Sequence, residues 1–100
     1  MEKFKYFYLR NEKNVPVSCV VTMKLHDGAI AYAVSTHNPA DVFSKEMARK
    51  VAVGRLETGF NNYHIEPVAG VNVKTQIVEQ IAKTKTLPNR ARNAAKLWLQ

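Results

Sequence analysis

The sequence contains only one cysteine, Cys19, so no disulfide bond can form within the chain. A single thiol also fits a reducing compartment. A metal site would need Cys19 together with His26, His37 and His64, and these four residues lack the spacing of metal ligands. We therefore expect no bound metal ion and no other cofactor.

Long apolar runs are also missing. No stretch approaches the roughly 20 apolar residues that a membrane-spanning helix needs. The N-terminal segment MEKFKYFYLR alternates charged and aromatic residues and lacks the small-residue cleavage site of a signal peptide. The sequence therefore predicts a cytoplasmic protein with no membrane partner. Its length suits one domain, residues 1–100, with a single modest core.

Familiar catalytic motifs are absent from the sequence as well. It has no phosphate-binding glycine loop, no nucleophile elbow and no helix with paired metal-binding histidines. His37 is the best candidate acid or base, because Asn38 and Asp41 follow it at a predicted helix start. Helix capping explains Asn38 and Asp41 without any chemistry. We expect no catalytic residue and no enzymatic activity.

Acidic residues are few, and their distribution is uneven. The chain has 15 basic and 8 acidic residues, a net charge of +7, and Glu79 is the last acid. The basic residues beyond Glu79 are Lys83, Lys85, Arg90, Arg92 and Lys96. An uncompensated segment of this kind indicates either a solvated positive surface or attraction to nucleic acid or another polyanion.

The segments that are present predict an α+β fold, in which a three-stranded antiparallel meander packs with two or three helices. Residues 4–10 (FKYFYLR), 17–25 (VSCVVTMKL) and 30–36 (IAYAVST) have the composition of strands. Residues 63–66 could add a short fourth strand, which Pro67 would end or confine to an edge.

Turn residues set the predicted register of these strands. A two-residue turn at Asp27-Gly28 predicts the facing pairs Leu25–Ile30, Met23–Tyr32 and Val21–Val34. A four-residue loop at 11–14 predicts the facing pairs Tyr8–Val17, Tyr6–Cys19 and Phe4–Val21. These residues share one apolar face, and a slip by one residue would turn polar residues inward. We expect the first helix to cover the part of this face made by Phe4, Tyr6, Val21, Met23 and Tyr32.

The opposite face of the predicted sheet carries Lys5, Phe7, Leu9 and Val20. An exposed Phe7 could stack on a base, as aromatic residues do on RNA-binding sheets. The alternative that we favour is that C-terminal helices, or a dimer partner, cover Phe7 and Leu9.

The first helix is predicted over residues 38–59, with Asn38 as its cap, Pro39 at its first position and Gly59 as its stop. Its apolar arc comprises Phe43, Met47, Ala48, Val51 and Ala52. Gly54 indicates either a close approach of another backbone or an early helix end.

Two further helices are predicted within residues 71–85 and 87–100. Leu87, Ala91, Ala94, Ala95 and Trp98 share one face of the last helix. Trp98 could anchor a partner, but we favour a role in filling the small core.

The first helix also carries a basic stripe. Lys45 and Arg49 are one turn apart and Lys50 is adjacent, while Glu46 can pair with Lys50 and absorb part of the charge. The stripe is either a solvated face or a surface that contacts successive phosphates.

VSCVVTMKLHDGAIAYAVS followed by SKEMARKVA resembles the second half of the double-stranded RNA-binding domain, in which a β-β-β-α run ends in a helix that begins Ser-Lys-Lys-x-Ala-Lys-x-x-Ala. Ser44, Lys45, Ala48, Arg49 and Ala52 match that pattern, and Glu46 replaces its middle lysine. The resemblance implies that Lys45 and Arg49 contact phosphates across a groove. The chain departs from the family in that it opens with a strand instead of a helix.

NPADVFSKEMARKVAVGRL is more loosely similar to small tailed-phage proteins of unassigned role. This resemblance implies either an accessory nucleic-acid-binding protein or an inhibitor that docks on a bacterial host enzyme.

Two hypotheses of function follow. The first is binding of DNA or RNA mainly through phosphates, by Lys45, Arg49 and Lys50 together with the basic residues beyond Glu79 named above. The second is a protein-binding module that inhibits a larger bacterial enzyme with an acidic surface, through surplus apolar residues. The candidates for that interface are Phe7, Leu9, Phe60 and Trp98. Homodimerisation through the open sheet face or the edge of the first strand is an alternative left open.

Overall fold

The computed structural model describes residues 4–37, 44–59 and 62–100. The strands are β1 (Phe4–Arg10), β2 (Pro16–Lys24), β3 (Ile30–Thr36) and β4 (Asn62–Ile65), and the helices are α1 (Lys45–Thr58), α2 (Val73–Lys83) and α3 (Asn89–Leu99). The strands form one antiparallel sheet in the order β1-β2-β3-β4. The predicted α+β class and meander are confirmed, and the fourth strand forms at the sheet edge and ends before Pro67.

The turn between β2 and β3 differs from the predicted two-residue turn. The Gly28 N–H donates to the Leu25 carbonyl, the Leu25 N–H donates to the Ala29 carbonyl, and Gly28 has a φ of 89°. This is a three-residue loop with glycine in the left-handed region, a common hairpin type. The observed facing pairs are Lys24–Ile30, Met23–Ala31 and Val21–Ala33. The predicted pairs Leu25–Ile30, Met23–Tyr32 and Val21–Val34 are all wrong by one residue. The shift turns Tyr32 and Val34 to the other face, so the expectation that the first helix covers Tyr32 is also wrong.

The register between β1 and β2 differs from its prediction by two residues. The observed facing pairs are Tyr8–Cys19, Tyr6–Val21 and Phe4–Met23, and the pairing register shifts between Leu9 and Arg10. The connecting turn is tied by the Asn11 side chain, whose Oδ1 accepts from the N–H groups of Lys13 and Val15. A shift by two residues preserves the face of each side chain, so the predicted sharing of one face by Phe4, Tyr6 and Tyr8 with β2 is right although the partners are wrong.

The sheet is covered on both faces. We call the face that packs against α1 the α1 face, and its buried residues with those of the helix are Val21, Ala31, Ala33, Ala52 and Leu56. The face that packs against α2 and α3, the hairpin face, carries Leu9, Val20, Tyr32 and Val34, which contact Ile77, Val78, Ile81 and the alanines of α3. The prediction that C-terminal helices cover Phe7 and Leu9 is confirmed, because Leu9 is fully buried and Phe7 packs against this cluster.

Helix α1 begins later than predicted. Ser44 is its cap, and the Ser44 side chain accepts a hydrogen bond from the Met47 N–H over 3.2 Å. The predicted cap at Asn38 is therefore wrong for this helix, and residues 38–43, including Phe43, lie outside the described residues. The predicted stop at Gly59 is confirmed by its φ of 76°.

The buried side of α1 also differs from the predicted apolar arc. Met47 and Val51 are 59% and 39% exposed, whereas Ala52 and Leu56 are buried. The helix is held to β3 by two hydrogen bonds, from the Ser35 hydroxyl to the Ala48 carbonyl and from the Arg55 guanidinium to the Val34 carbonyl. These bonds and the small alanines of β3 set which side of α1 meets the sheet.

Candidate nucleic-acid interface

The basic stripe of α1 stands over the tyrosines of β1. The Lys45 ammonium lies 4.9 Å from the centre of the Tyr8 ring, and the Arg49 guanidinium lies 5.5 Å from the centre of the Tyr6 ring. Alternate residues of β1 face α1, and residues one turn apart on α1 face β1, so the two spacings match. Each contact is a cation–π interaction, which holds the basic group near the strand while Tyr6 stays 40% exposed.

Lys50 differs from its two basic neighbours. Its ammonium lies 3.9 Å from a Glu46 carboxylate oxygen, and both side chains are largely exposed. This predicted i, i+4 pair is the one ion pair among the residues that the structure describes. An exposed pair contributes little to stability, but it reduces the local positive charge. Lys50 is therefore a weaker candidate for phosphate contact than Lys45 or Arg49.

The basic residues beyond Glu79 do not join this stripe. Helices α2 and α3 cover the hairpin face and α1 covers the other, so the two predicted halves of the binding surface lie on opposite sides of the sheet. The Arg90 guanidinium donates to the His37 carbonyl, and Arg92 donates to the Asn89 side chain, so both have intramolecular roles. Lys83, Lys85 and Lys96 are exposed.

Lys85 lies near the far edge of the sheet from β1. The neighbouring Thr86 side chain is 3.4 Å from the Tyr63 hydroxyl of β4, and β4 is the strand at the opposite edge. A single ligand on β1 would have to wrap around the molecule to reach this residue as well.

A second basic surface, which the sequence did not indicate, lies beside β1 on its other side. Lys5 of β1, Lys24 of β2 and Lys74 of α2 line an open groove with a volume of about 680 Å³. We call it the lysine groove. Its other lining residues are uncharged: Tyr6, Phe7, Thr22, Ile30, Asn72, Val73 and Ile77. The groove therefore has three positive charges and no acidic residue in its described lining.

Lys74 joins the lysine groove to the end of α3. Its ammonium lies 4.8 Å from the centre of the Phe7 ring and 5.8 Å from the centre of the Trp98 ring. Helices α2 and α3 pack against each other, which brings the start of one near the end of the other. Side chains alternate along β2, so Lys24 lies on the same face as Thr22. The position of Lys74 instead depends on how α2 packs, which no local sequence pattern encodes.

The four predicted protein-interface residues have different outcomes. Leu9 is fully buried, so its assignment to an interface is wrong. Phe7 packs against the core cluster beneath Lys74, which excludes the alternative of an open stacking platform. Trp98 is 37% exposed at the rim, so its predicted role in filling the core is also wrong, and buried alanines of α3 fill that position instead. Phe60 lies outside the described residues.

The half-buried Tyr8 and the buried Cys19 form a hydrogen-bonded pair near Arg49. Burial raises the pKa of the Cys19 thiol to about 11, against a lowering influence of the Arg49 charge and of a hydrogen bond with Tyr8. Burial is also the main cause that raises the pKa of Tyr8. At neutral pH the thiol is therefore protonated, and because the thiolate is the reactive form, Cys19 is not a nucleophile.

None of the helices in the described ranges is both long enough and apolar enough to cross a membrane. No group of three or more histidine, cysteine, aspartate or glutamate side chains in those ranges is placed to hold a metal ion. Comparison with known proteins adds no relative, because no family model, no curated protein and no solved structure matches the chain. The resemblance to the double-stranded RNA-binding domain therefore rests on its residue pattern alone.

Proposed function

We propose that this protein is a non-enzymatic, cytoplasmic protein that binds nucleic acid mainly through phosphates, centred on the β1 edge of the sheet. The observation that carries the proposal is the convergence of cations from both helical layers on that edge. Lys45 and Arg49 reach β1 from α1, and Lys74 reaches it from α2.

The environment of these cations suits phosphate binding. All three are exposed, each lies over an aromatic ring, and none of them forms a salt bridge with a carboxylate of the residues that the structure describes. A ring beneath a flexible side chain limits its motion and reduces the entropy that is lost when the side chain engages a ligand. Binding to phosphates then releases counterions, which supplies much of the affinity.

The cap of α1 adds support from the residue pattern. With Ser44 as the cap, Lys45 is the first residue of the helix and Arg49 is one turn further on. The resemblance to the double-stranded RNA-binding domain places its phosphate-contacting residues at the same positions. The positive end of the helix dipole also favours an anion near this end.

The proposal is tested by the salt dependence of binding to labelled DNA and RNA, single-stranded and duplex, in fluorescence anisotropy. We expect tight binding at low salt. The logarithm of the binding constant should fall linearly with the logarithm of the salt concentration, with a slope of about −0.7 to −0.9 per phosphate contacted. Lys45→Ala combined with Arg49→Ala should weaken binding to all sequences alike and reduce the slope by about two contacts.

The matched control is Lys83→Ala combined with Lys85→Ala, which removes the same charge away from β1. This control should bind nearly as well as the wild type at moderate salt. An equal loss in both double variants would mean that binding is not centred on β1. Absence of binding by the wild type at low salt to every nucleic acid tested would reject the function.

A second function is favoured by a different observation. Leu97, Trp98 and Leu99 are each 37–38% exposed at the end of α3, which suits docking on another protein, such as a bacterial enzyme inhibited by this chain. A pull-down from nuclease-treated bacterial lysate distinguishes the two functions. A stoichiometric protein that survives nuclease treatment and is lost in Trp98→Ala would favour the protein-binding module.

A further inference from the structure

The lysine groove has the size of a site for a small ligand and not for a duplex. Its volume of about 680 Å³ lies within the range of about 300–1,000 Å³ that is typical of small-molecule pockets. Its floor is the sheet surface of β1 and β2, and its wall is the start of α2. A nucleotide or two of a flexible strand can enter such a space, whereas a double helix can only rest on its rim.

Two of the three lysines of the groove occupy neighbouring backbone positions on one face of the sheet. Lys5 faces Thr22 across the two strands, and Lys24 is two residues further along β2 on the same face. The Cα atoms of diagonal neighbours of this kind are separated by about 7–8 Å. From such positions, two long lysine side chains can contact neighbouring phosphates of one extended strand. Lys74 supplies a third charge from α2, whose first turn has no acidic residue.

Tyr6 connects the groove to the basic stripe of α1. It lines the lysine groove on one side of β1. On the other side it lines a second cavity of about 400 Å³, whose charged residues are Arg49, Lys50, Glu46 and Glu57. Tyr6 is 40% exposed, on a strand at the edge of the sheet. A base can therefore stack on Tyr6 between the lysine groove and Arg49. Proteins that bind single strands likewise combine a basic groove with aromatic stacking.

We infer that the lysine groove and Tyr6 form a binding site for single-stranded nucleic acid. Lys5, Lys24 and Lys74 contact the phosphates, a base stacks on Tyr6, and the strand crosses the β1 edge toward Arg49. This inference rests on the proposed function and deepens it, because it distinguishes single strands from duplexes.

The first test compares a labelled single strand with the duplex of the same sequence. Lys5→Ala combined with Lys24→Ala should weaken single-strand binding by about tenfold or more and change duplex binding by much less. Lys45→Ala combined with Arg49→Ala should weaken both. The control Lys83→Ala combined with Lys85→Ala should leave both nearly unchanged.

The second test isolates stacking from charge. Tyr6→Leu should weaken single-strand binding by about 5- to 150-fold with an unchanged salt slope, because it removes stacking and no charge. Tyr6→Phe keeps an aromatic ring and should bind the single strand nearly as well as the wild type. The melting temperature of each variant checks that the fold is retained. If Tyr6→Leu does not fold, Tyr6→His retains a stacking ring and Tyr6→Gln does not, and that pair is compared instead.

The outcomes separate this inference from the function on which it rests. Duplex binding with no single-strand preference, or an equal loss for both ligands in the Lys5 and Lys24 variant, would overturn the single-strand site and leave the proposed function standing. Displacement of the single strand by polyglutamate at the same charge concentration would show a general anion groove and would also overturn the site. The site is supported if the Lys5 and Lys24 double variant loses binding to the single strand but not to the duplex, and if polyglutamate does not displace the single strand from the wild-type protein.

Discussion

The two faces of the sheet are buried by different means. On the hairpin face, large side chains such as Tyr32, Ile77 and Ile81 fill the space between the sheet and two helices. On the α1 face, Ala31 and Ala33 let a single helix approach the strands closely. The hairpin face therefore holds most of the buried apolar residues in the described ranges, and we expect it to contribute more to stability than the α1 face. The α1 face leaves the tyrosines of β1 near solvent, within reach of cations.

The largest expected effect tests whether the hairpin face contributes more to stability than the α1 face. Ile81→Ala on the hairpin face should lower the free energy of unfolding by about 2–5 kcal/mol, because Ile81 is fully buried in a closely packed cluster. Leu56→Ala on the α1 face should cost less, near the lower end of that range, since Leu56 lies at the margin of a smaller cluster and is 6% exposed. Urea unfolding at equilibrium measures both values. Equal losses of unfolding free energy in the two variants would contradict a larger contribution of the hairpin face.

A smaller effect tests the close approach of α1. Ala33 is fully buried and faces Val21 across the sheet, beneath the helix. Ala33→Leu should therefore destabilise the protein by about 1–3 kcal/mol, because the added carbons must displace α1. In the register predicted from the sequence, residue 33 instead faces away from the first helix.

Ala69 provides the matched control for this substitution. It is exposed in the connection before α2, so Ala69→Leu should change the stability by no more than about 0.5 kcal/mol. A tolerated Ala33→Leu would mean that α1 does not lie against Ala33 as closely as the structure has it.

The β2–β3 register shows where sequence reasoning reached its limit. The pair Asp27-Gly28 is compatible with a two-residue turn and with a three-residue loop, and the choice between them reverses the face of every residue in β3. Apolar patterning distinguishes such alternatives only when one face is polar. Here both faces are buried, and Ala31 and Ala33 read as an outer face although they lie beneath a helix.

The candidate site likewise has one part that local sequence patterns predict and another part that depends on packing between distant segments. The contacts of Lys45 and Arg49 with β1 follow from alternation along a strand and from the helical period, both of which the sequence displays. The lysine groove was missed because Lys74 arrives from a helix far along the chain. Its position depends on the packing of α2 with α3, which no spacing in the sequence encodes.

The smallest expected effect concerns the stability of α1 itself. Gly54 lies in the interior of this helix, and an added Cβ would meet no atom within 4 Å. The suggestion that Gly54 marks a close backbone approach or an early helix end is therefore wrong. Gly54→Ala should raise the free energy of unfolding by about 0.5–1 kcal/mol, because alanine loses less backbone entropy than glycine when the helix forms.

Gly59 offers the same substitution with the opposite expected sign. It also has open space around its Cα, but its φ of 76° at the end of α1 is strained for alanine. Gly59→Ala should therefore lower the free energy of unfolding by about 1 kcal/mol. Thermal unfolding of the two variants measures the contrast, since neither removes a side-chain contact. If both changed stability in the same direction, α1 would not extend through Gly54 to a left-handed cap at Gly59. The placement of Lys45 and Arg49 over β1 would then need an explanation other than a continuous α1.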